Sequence, residues 1–252
     1  MAVDPQDRCG DVAGCGFLIS GIIHLSNSPV ERPPDLWDQG CATDEIRNQF
    51  VIPAIIEVAS ANDPDSIIDI GCGSGYIARE VEAGGIAKGV AWRLLDYSTD
   101  MLSFARSRCT DIERTAFIRH DLRVEPRDIP KSILGYVAYT FLDFLLDETI
   151  ALHVSDLIME GGTLLVFLPD VLEDVIEAAG QDPAVLDEYR SGHCSLAKRD
   201  KFTSKNVLFE ANRVENVIQL FLGAGLVLTH LRTHRSAKGK FHYMLSFRAL
   251  SV

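Results

Sequence analysis

The sequence predicts an α/β domain, a three-layer sandwich in which helices cover both faces of a mainly parallel seven-stranded sheet with an antiparallel edge strand. Three observations predict it. Short apolar runs alternate with amphipathic stretches along most of the chain. A strand, a glycine-rich turn and a helix follow one another from Ile67 to Ala78. The last two apolar runs are joined by Ser236-Ala237-Lys238-Gly239-Lys240, a hairpin link with no room for a helix.

Taken in order, residues 1–45 form an N-terminal lead, and residues 46–252 form the domain. Up to Ala42 the lead is expected to be irregular, because Pro29, Pro33 and Pro34 break any helix. A helix over Ile46 to Ser60 then leads into strand Ser66 to Ile70 and helix Gly75 to Ala83. Strand Val90 to Leu95, helix Thr99 to Arg108 and strand Ala116 to His120 repeat the unit. Strand Leu134 to Tyr139, helix Glu148 to Ile158, strand Thr163 to Leu168 and helix Val171 to Gly180 continue it. Residues 181–212 break the rhythm and are read as an inserted substrate cap, since insertions after strands project over the ligand end of such sheets. Helix Arg213 to Gly223 and strands Leu226 to Thr233 and Tyr243 to Leu250 complete the count.

Composition narrows the function classes. A chain of 252 residues with 47% apolar residues builds a sizeable core. The balance of 24 basic against 36 acidic side chains, a formal charge of −12, disfavours a nucleic-acid partner held through phosphates. The longest apolar stretch, Val12 to Leu25, is too short to span a bilayer, and Asp4, Asp7 and Asp11 stand where a signal peptide carries basic residues. A soluble, cytoplasmic protein without a membrane partner is expected. That apolar stretch either packs on its own domain or serves as a homodimer contact. The six cysteines form no CxxC pair and none has a histidine at ligand spacing, so no metal site is expected.

The chemistry sits at Asp69-Ile70-Gly71-Cys72-Gly73-Ser74-Gly75-Tyr76. Glycines at alternate positions let the backbone approach a ligand closely, and the N–H groups of the following helix start favour electron-rich groups. A dinucleotide fingerprint would place its third glycine where Tyr76 stands, which weakens a nicotinamide reading. Asp96 ends the next strand at the distance expected of a carboxylate that accepts bonds from both ribose hydroxyls.

With these residues the chain resembles the class I S-adenosylmethionine-dependent methyltransferases, a Rossmann-like fold. Ile67 to Gly75 is similar to the first motif of that family and Asp96 to Ala105 to its second. His120-Asp121-Leu122, Leu142-Asp143-Phe144-Leu145 and Glu160-Gly161-Gly162-Thr163-Leu164 are similar to later ones, in the family's order. The likeness covers about residues 35 to 180, and 213 to 250 more loosely. It implies S-adenosylmethionine as cofactor and S-adenosylhomocysteine as product. Gly71, Cys72 and Gly73, with Gly75 closing the loop, would line the methionine part, and Asp69 would reach its ammonium. Asp96 would hold the ribose, and Tyr97 or Met101 would pack on the adenine. Asp121 and Leu122 would meet the adenine edge, while Tyr139 and Thr140 would lie near the sulfonium methyl. Trp37 and Arg47 would belong to a helical lead closing over the cofactor. Gly135 and Glu160 depart from the family pattern at positions that do no chemistry. No Asn/Asp-Pro-Pro-Tyr/Phe tetrapeptide follows the fourth strand, which disfavours base and glutamine-amide methylation.

Methyl transfer is an in-line displacement at a carbon activated by positive sulfur, so alignment in a dry site suffices, and a base helps when the acceptor is a hydroxyl. His193 in the insertion is one candidate base; Tyr139 and Asp143 at the fourth strand's mouth are others. His230, His234 and His242 fall on or near the edge hairpin, where a structural or solvent-facing role is expected. The sequence thus predicts methyl transfer to an O, N or C atom of a small-molecule acceptor. A non-catalytic binder of the same ligands and a nicotinamide-dependent oxidoreductase are the alternatives.

Overall fold

The computed structural model describes residues 33–85, 89–199 and 206–250. Val12 to Leu25, proposed above as a packing or dimer segment, lies outside the described residues. The chain runs through α1 (Pro34–Ala42), a π turn (Arg47–Val51), α2 (Ile52–Asn62), β1 (Ser66–Ile70), α3 (Tyr76–Ala83), β2 (Ala91–Asp96) and α4 (Thr99–Arg108). β3 (Thr115–Arg119), β4 (Ser132–Ala138), a 3-10 turn (Thr140–Leu142), α5 (Glu148–Asp156) and β5 (Ile158–Pro169) follow. The remainder is α6 (Leu172–Ala179), α7 (Ala184–Ser191), β6 (His193–Arg199), β7 (Asn206–Asn212), α8 (Val214–Gly223), β8 (Leu226–Arg235) and β9 (Phe241–Ala249).

Seven strands form one sheet in the order β3-β2-β1-β4-β5-β9-β8, with β1 to β5 parallel. The antiparallel strand, β9, lies one place in from the edge, between β5 and β8. β1 is buried along its whole length, and alternation divides it between two cores. Ile67 joins Phe50, Ile55, Val81, Leu94 and Phe167 under the N-terminal helices, while Ile68 and Ile70 join Phe141, Val154, Val166 and Phe221 under α5 and α8.

Two local expectations are corrected. Pro33 and Pro34 do not break the lead: Pro34 opens α1, where the missing N–H is one the helix start leaves unpaired anyway. The helix expected over Ile46 to Ser60 begins as a π turn instead. Pro53 in the first turn of α2 can give no N–H to the preceding turn, and the wider π turn accommodates the loss. Residues 181–212 contain α7 and the antiparallel pair β6 and β7, which bury Cys194, Leu196 and Ala211 against Val171 and Val175.

Candidate cofactor and active site

The cleft at the carboxyl ends of β1, β2, β3 and β4 encloses about 1010 Å³ including its mouth. Gly71 N and Cys72 N both donate to Leu95 O at 2.8 Å, which folds the loop across the end of β2. Gly71 has φ +79°, and a Cβ there would stand 2.3 Å from Thr140 Oγ1. Gly73 has φ +53°, and a Cβ there would stand 2.8 Å from Trp37 Nε1. These two positions therefore need glycine both for backbone conformation and for close approach of the 3-10 turn on one side and α1 on the other.

Asp96 organises the same loop. Its Oδ2 accepts from Gly73 N and its Oδ1 from Ser98 N, each at 2.8 Å. Burial raises its carboxyl above the ordinary carboxylate range, opposed by those backbone donors. Ser98 in turn caps α4, its Oγ accepting from Met101 N. On the other wall Tyr139 sits in the left-handed region at φ +63°, rare for a bulky residue. Tyr139 N donates to Phe167 O at 3.1 Å, and Thr140 Oγ1 donates to Ile70 O at 3.0 Å. Asn212 Nδ2 donates to Phe141 O at 2.8 Å, so the inserted hairpin braces the turn that carries Tyr139 and Thr140.

Of the residues singled out from sequence, Trp37, Gly71, Gly73, Asp96, Tyr97, Met101, Asp121, Leu122, Tyr139, Thr140 and Asp143 meet on the walls of this one cleft. Asp69, Cys72, Gly75, Arg47 and His193 are not on its walls. Asp69 lies beneath the loop at 2% exposure, where burial pushes its carboxyl up to about 7 against the opposing influence of Tyr136. Neither Asp69 Oδ2 nor Tyr136 OH completes a hydrogen bond among the described residues. The Cys72 thiol is buried and pushed far above its ordinary range by desolvation, which makes it unreactive. Gly75 packs on Cys109 as α3 begins. Arg47 stands behind the wall, its guanidinium 5.2 Å from the Trp37 ring and 5.4 Å from the Tyr139 ring, with Nη1 donating to Asp44 at 2.7 Å. His193 opens β6 opposite Asn212, away from the cleft, so the structure does not bring this candidate base to the site.

Past the end of β3, Asp121 and Leu122 line the cleft with their own partners. Both oxygens of Asp121 are engaged by Arg123, with Nη2 to Oδ2 at 2.6 Å and Nε to Oδ1 at 2.9 Å, and this pairing holds the Asp121 carboxyl below its usual range. Leu122 O accepts from His153 Nδ1 at 2.8 Å. Arg123 and His120 line the cleft and were not assigned to it from sequence. His120 Nε2 is buried there and finds no partner among the described residues. The Asp-x-Arg spacing was the available signal for Arg123. Tyr76, in the slot of a dinucleotide motif's third glycine, is buried and donates to Asn48 Oδ1 at 2.8 Å.

Among the described residues no helix is long and apolar enough to cross a membrane, and no cluster of side chains is suited to a metal. No protein-family model and no curated protein matches the chain. Solved structures do match its fold. Magnesium protoporphyrin IX methyltransferase from Synechocystis PCC 6803, solved with bound SAH, superposes with a TM-score of 0.59 at 12% identity, over 85% of this chain and 93% of that one. An S-adenosylmethionine-dependent methyltransferase from Clostridium acetobutylicum gives 0.59 at 13% identity, over 86% and 97%. The N-methyltransferase NodS from Bradyrhizobium japonicum gives 0.55 at 14% identity, over 82% and 99%. The strand order, the glycine loop at the end of β1 and these superpositions agree: the chain has the fold of the class I S-adenosylmethionine-dependent methyltransferases.

Proposed function

We propose that the protein transfers a methyl group from S-adenosylmethionine to an O, N or C atom of a small organic acceptor. The observation that carries this reading is the convergence of the glycine loop, Asp96 and the Tyr139-Thr140 turn on one cleft. The residues fit the ligand. The glycines leave a cradle that a Cβ at either position would fill, Asp96 keeps carboxylate lone pairs beyond the two it gives to backbone N–H groups, and His120 Nε2 offers an unused polar atom.

Bound there, S-adenosylmethionine supplies a methyl carbon activated by sulfonium. Asp96 would bind the ribose hydroxyls, and hydrogen bonds to a charged acceptor contribute about 1.5–3 kcal/mol each. Gly71 and Gly73 would admit the methionine chain against the backbone. Tyr97 and Met101 would flank the adenine, with His120 and Leu122 at its edge. Trp37, Thr140 and Phe144 would shield the reacting centre from water, and alignment there would supply much of the rate. The formal charge of −12 supports a small molecule over a nucleic acid as acceptor. The described cysteines, all free and buried, support a reducing compartment such as the cytoplasm.

Calorimetric titration with S-adenosylmethionine, S-adenosylhomocysteine and NADH tests the assignment. Saturable binding of both adenosyl ligands, with NADH inert, is expected, and Asp96→Ala should weaken that binding at least about tenfold, at ~1.4 kcal/mol per decade. Binding of NADH alone would overturn the reading, and an unchanged affinity in the variant would remove Asp96 from the site.

A further inference from the structure

We propose that Tyr139 and His242 form a proton-transfer pair at the rim of the cleft, and that the acceptor is a neutral hydroxyl compound, an alcohol or a phenol, which loses its proton as it is methylated. This rests on the methyl-transfer reading above and names the acceptor class for the same site. Tyr139 lines the cleft at the end of β4, and its hydroxyl lies 3.2 Å from Nδ1 of His242, at the start of β9. The rings meet edge to face at 5.9 Å. The contact links the cleft wall to a strand on the far side of β5, since His242 pairs with Pro169 and Ala138 pairs with Phe167.

Two features set this apart from a buried tyrosine that merely finds the nearest acceptor. The Tyr139 backbone is in the left-handed region, a sparsely populated conformation that persists only when its surroundings over-determine it. The brace from Phe167, Ile70 and Asn212 holds the turn in that state. The second feature is the charge around the pair. Arg47 stacks on the Tyr139 ring and favours negative charge on its oxygen, while burial, with a smaller contribution from Asp44, holds the hydroxyl well above the ordinary tyrosine range. His242 faces Asp44 from the segment before the π turn, His234 across β8, Lys240 from the hairpin turn and Asp170 after β5. Asp44 is already paired with Arg47, and Lys240 with Asp174. Desolvation leads the balance and holds His242 below the ordinary histidine range, so the ring is neutral and able to take a proton. In the proposed relay Tyr139 OH donates to Nδ1 across the 3.2 Å contact, with the ring hydrogen of His242 on Nε2.

The step balances. The acceptor oxygen bonds to the methyl carbon as the carbon–sulfur bond breaks and its electron pair leaves on sulfur. The acceptor's proton passes to Tyr139 Oη, the proton of Tyr139 passes to His242 Nδ1, and solvent takes it from the imidazolium. Tyr139 is then the catalytic residue, and His242, which acts through it, is the positioning residue. A neutral amine attacks with its lone pair and needs no such relay, which is why the pair points to a hydroxyl.

Nitrogen NMR of histidine-labelled protein reads the pair without turnover. His242 is expected as the Nε2–H tautomer with a titration midpoint below that of an ordinary histidine, rising in Tyr139→Phe, where the bond that favours the neutral ring is lost. Methyl transfer from tritiated S-adenosylmethionine is then followed with phenol, catechol and benzyl alcohol beside aniline and benzylamine. The hydroxyl compounds are expected to be methylated. Tyr139→Phe and His242→Asn should each lower kcat at least about tenfold with little change in KM, and abolish the limb of the pH profile set by His242. Methylation of the amines alone, of no hydroxyl compound, or a His242→Asn enzyme with wild-type kcat and pH profile would overturn the proposal, as would an Nδ1–H tautomer. Calorimetry with S-adenosylmethionine separates the two levels. No binding to the wild-type protein sinks the methyltransferase reading itself, whereas binding with any of those outcomes sinks the relay alone.

Discussion

Gly71→Ala, alone and combined with Thr140→Gly, measures how closely the glycine loop and the turn after β4 approach each other. A Cβ at residue 71 would stand 2.3 Å from Thr140 Oγ1, 2.5 Å from Cγ2 and 2.9 Å from Cβ. The last distance matters most, because rotating the threonine side chain cannot move its Cβ. The left-handed backbone at φ +79° costs an alanine roughly 1–2 kcal/mol, and the overlap adds about 1–3 kcal/mol. The single variant should therefore lose about 2–5 kcal/mol. Thr140→Gly removes all three clashing atoms and the bond from Thr140 Oγ1 to Ile70 O, a loss of about 0.5–1.5 kcal/mol that appears equally in the single and double variants. The cycle then isolates the overlap, and the double variant should be more stable than additivity predicts by about 1–3 kcal/mol. Urea unfolding of the four proteins, compared at equal slope, gives the coupling. Additivity within about 0.5 kcal/mol would show that the loop and the turn do not meet as described.

Asp69 makes stability depend on pH in an unusual direction. Its folded carboxyl is raised from 3.8 to about 7, so the folded state holds the proton more tightly and the chain loses stability as pH rises between those values, by about 4 kcal/mol at most. Asp69→Asn cannot ionise and should overtake the wild type on going from about pH 5 to about pH 8; parallel urea midpoints at the two pH values would contradict the buried carboxyl. Asp38 is a second buried acid, accepting from Ser74 Oγ at 2.9 Å with Arg79 and Arg108 nearby at 3.7 and 3.4 Å. Asp38→Ala should cost about 2–4 kcal/mol, somewhat less than a fully buried pair because Arg108 is half exposed. It should also increase amide exchange across Pro34–Ala42 specifically; unchanged protection there would mean that α1 is held by its apolar contacts alone.

Elements whose signals are local could be read directly from the chain. β1 falls where the apolar run Ser66 to Ile70 places it, and α4 spans Thr99–Arg108 as the sequence predicts. The cleft was readable for the same reason: the glycine spacing and Asp96 are 23 residues apart, and the bond from Gly73 N to Asp96 Oδ2 is the physical form of that spacing. α1 is not legible where proline is read only as a breaker, because at a helix's first position it is favoured. What local pattern cannot carry is contact across the fold. Tyr139 and His242 stand 103 residues apart, and nothing near either one marks the other. The position of β9 between β5 and β8 is likewise a decision of the whole sheet, as is the failure of His193 to reach the cleft.

That placement of β9 bears on how the chain assembles as it is synthesised. β5, buried along Leu164 to Leu168, must wait for residues 241–249 before its native neighbour exists, and the intervening chain contains α6, α7, the hairpin, α8 and β8. Closing so long a connection is entropically costly, and until it closes the outer edge of β5 presents unpaired backbone groups on an apolar strand. Strands β1 to β4, which carry the cleft's loop, Asp96 and Tyr139, can pair before that moment. His242 arrives only with the last strand, so half of the proposed proton pathway comes into being at the step that seals the sheet.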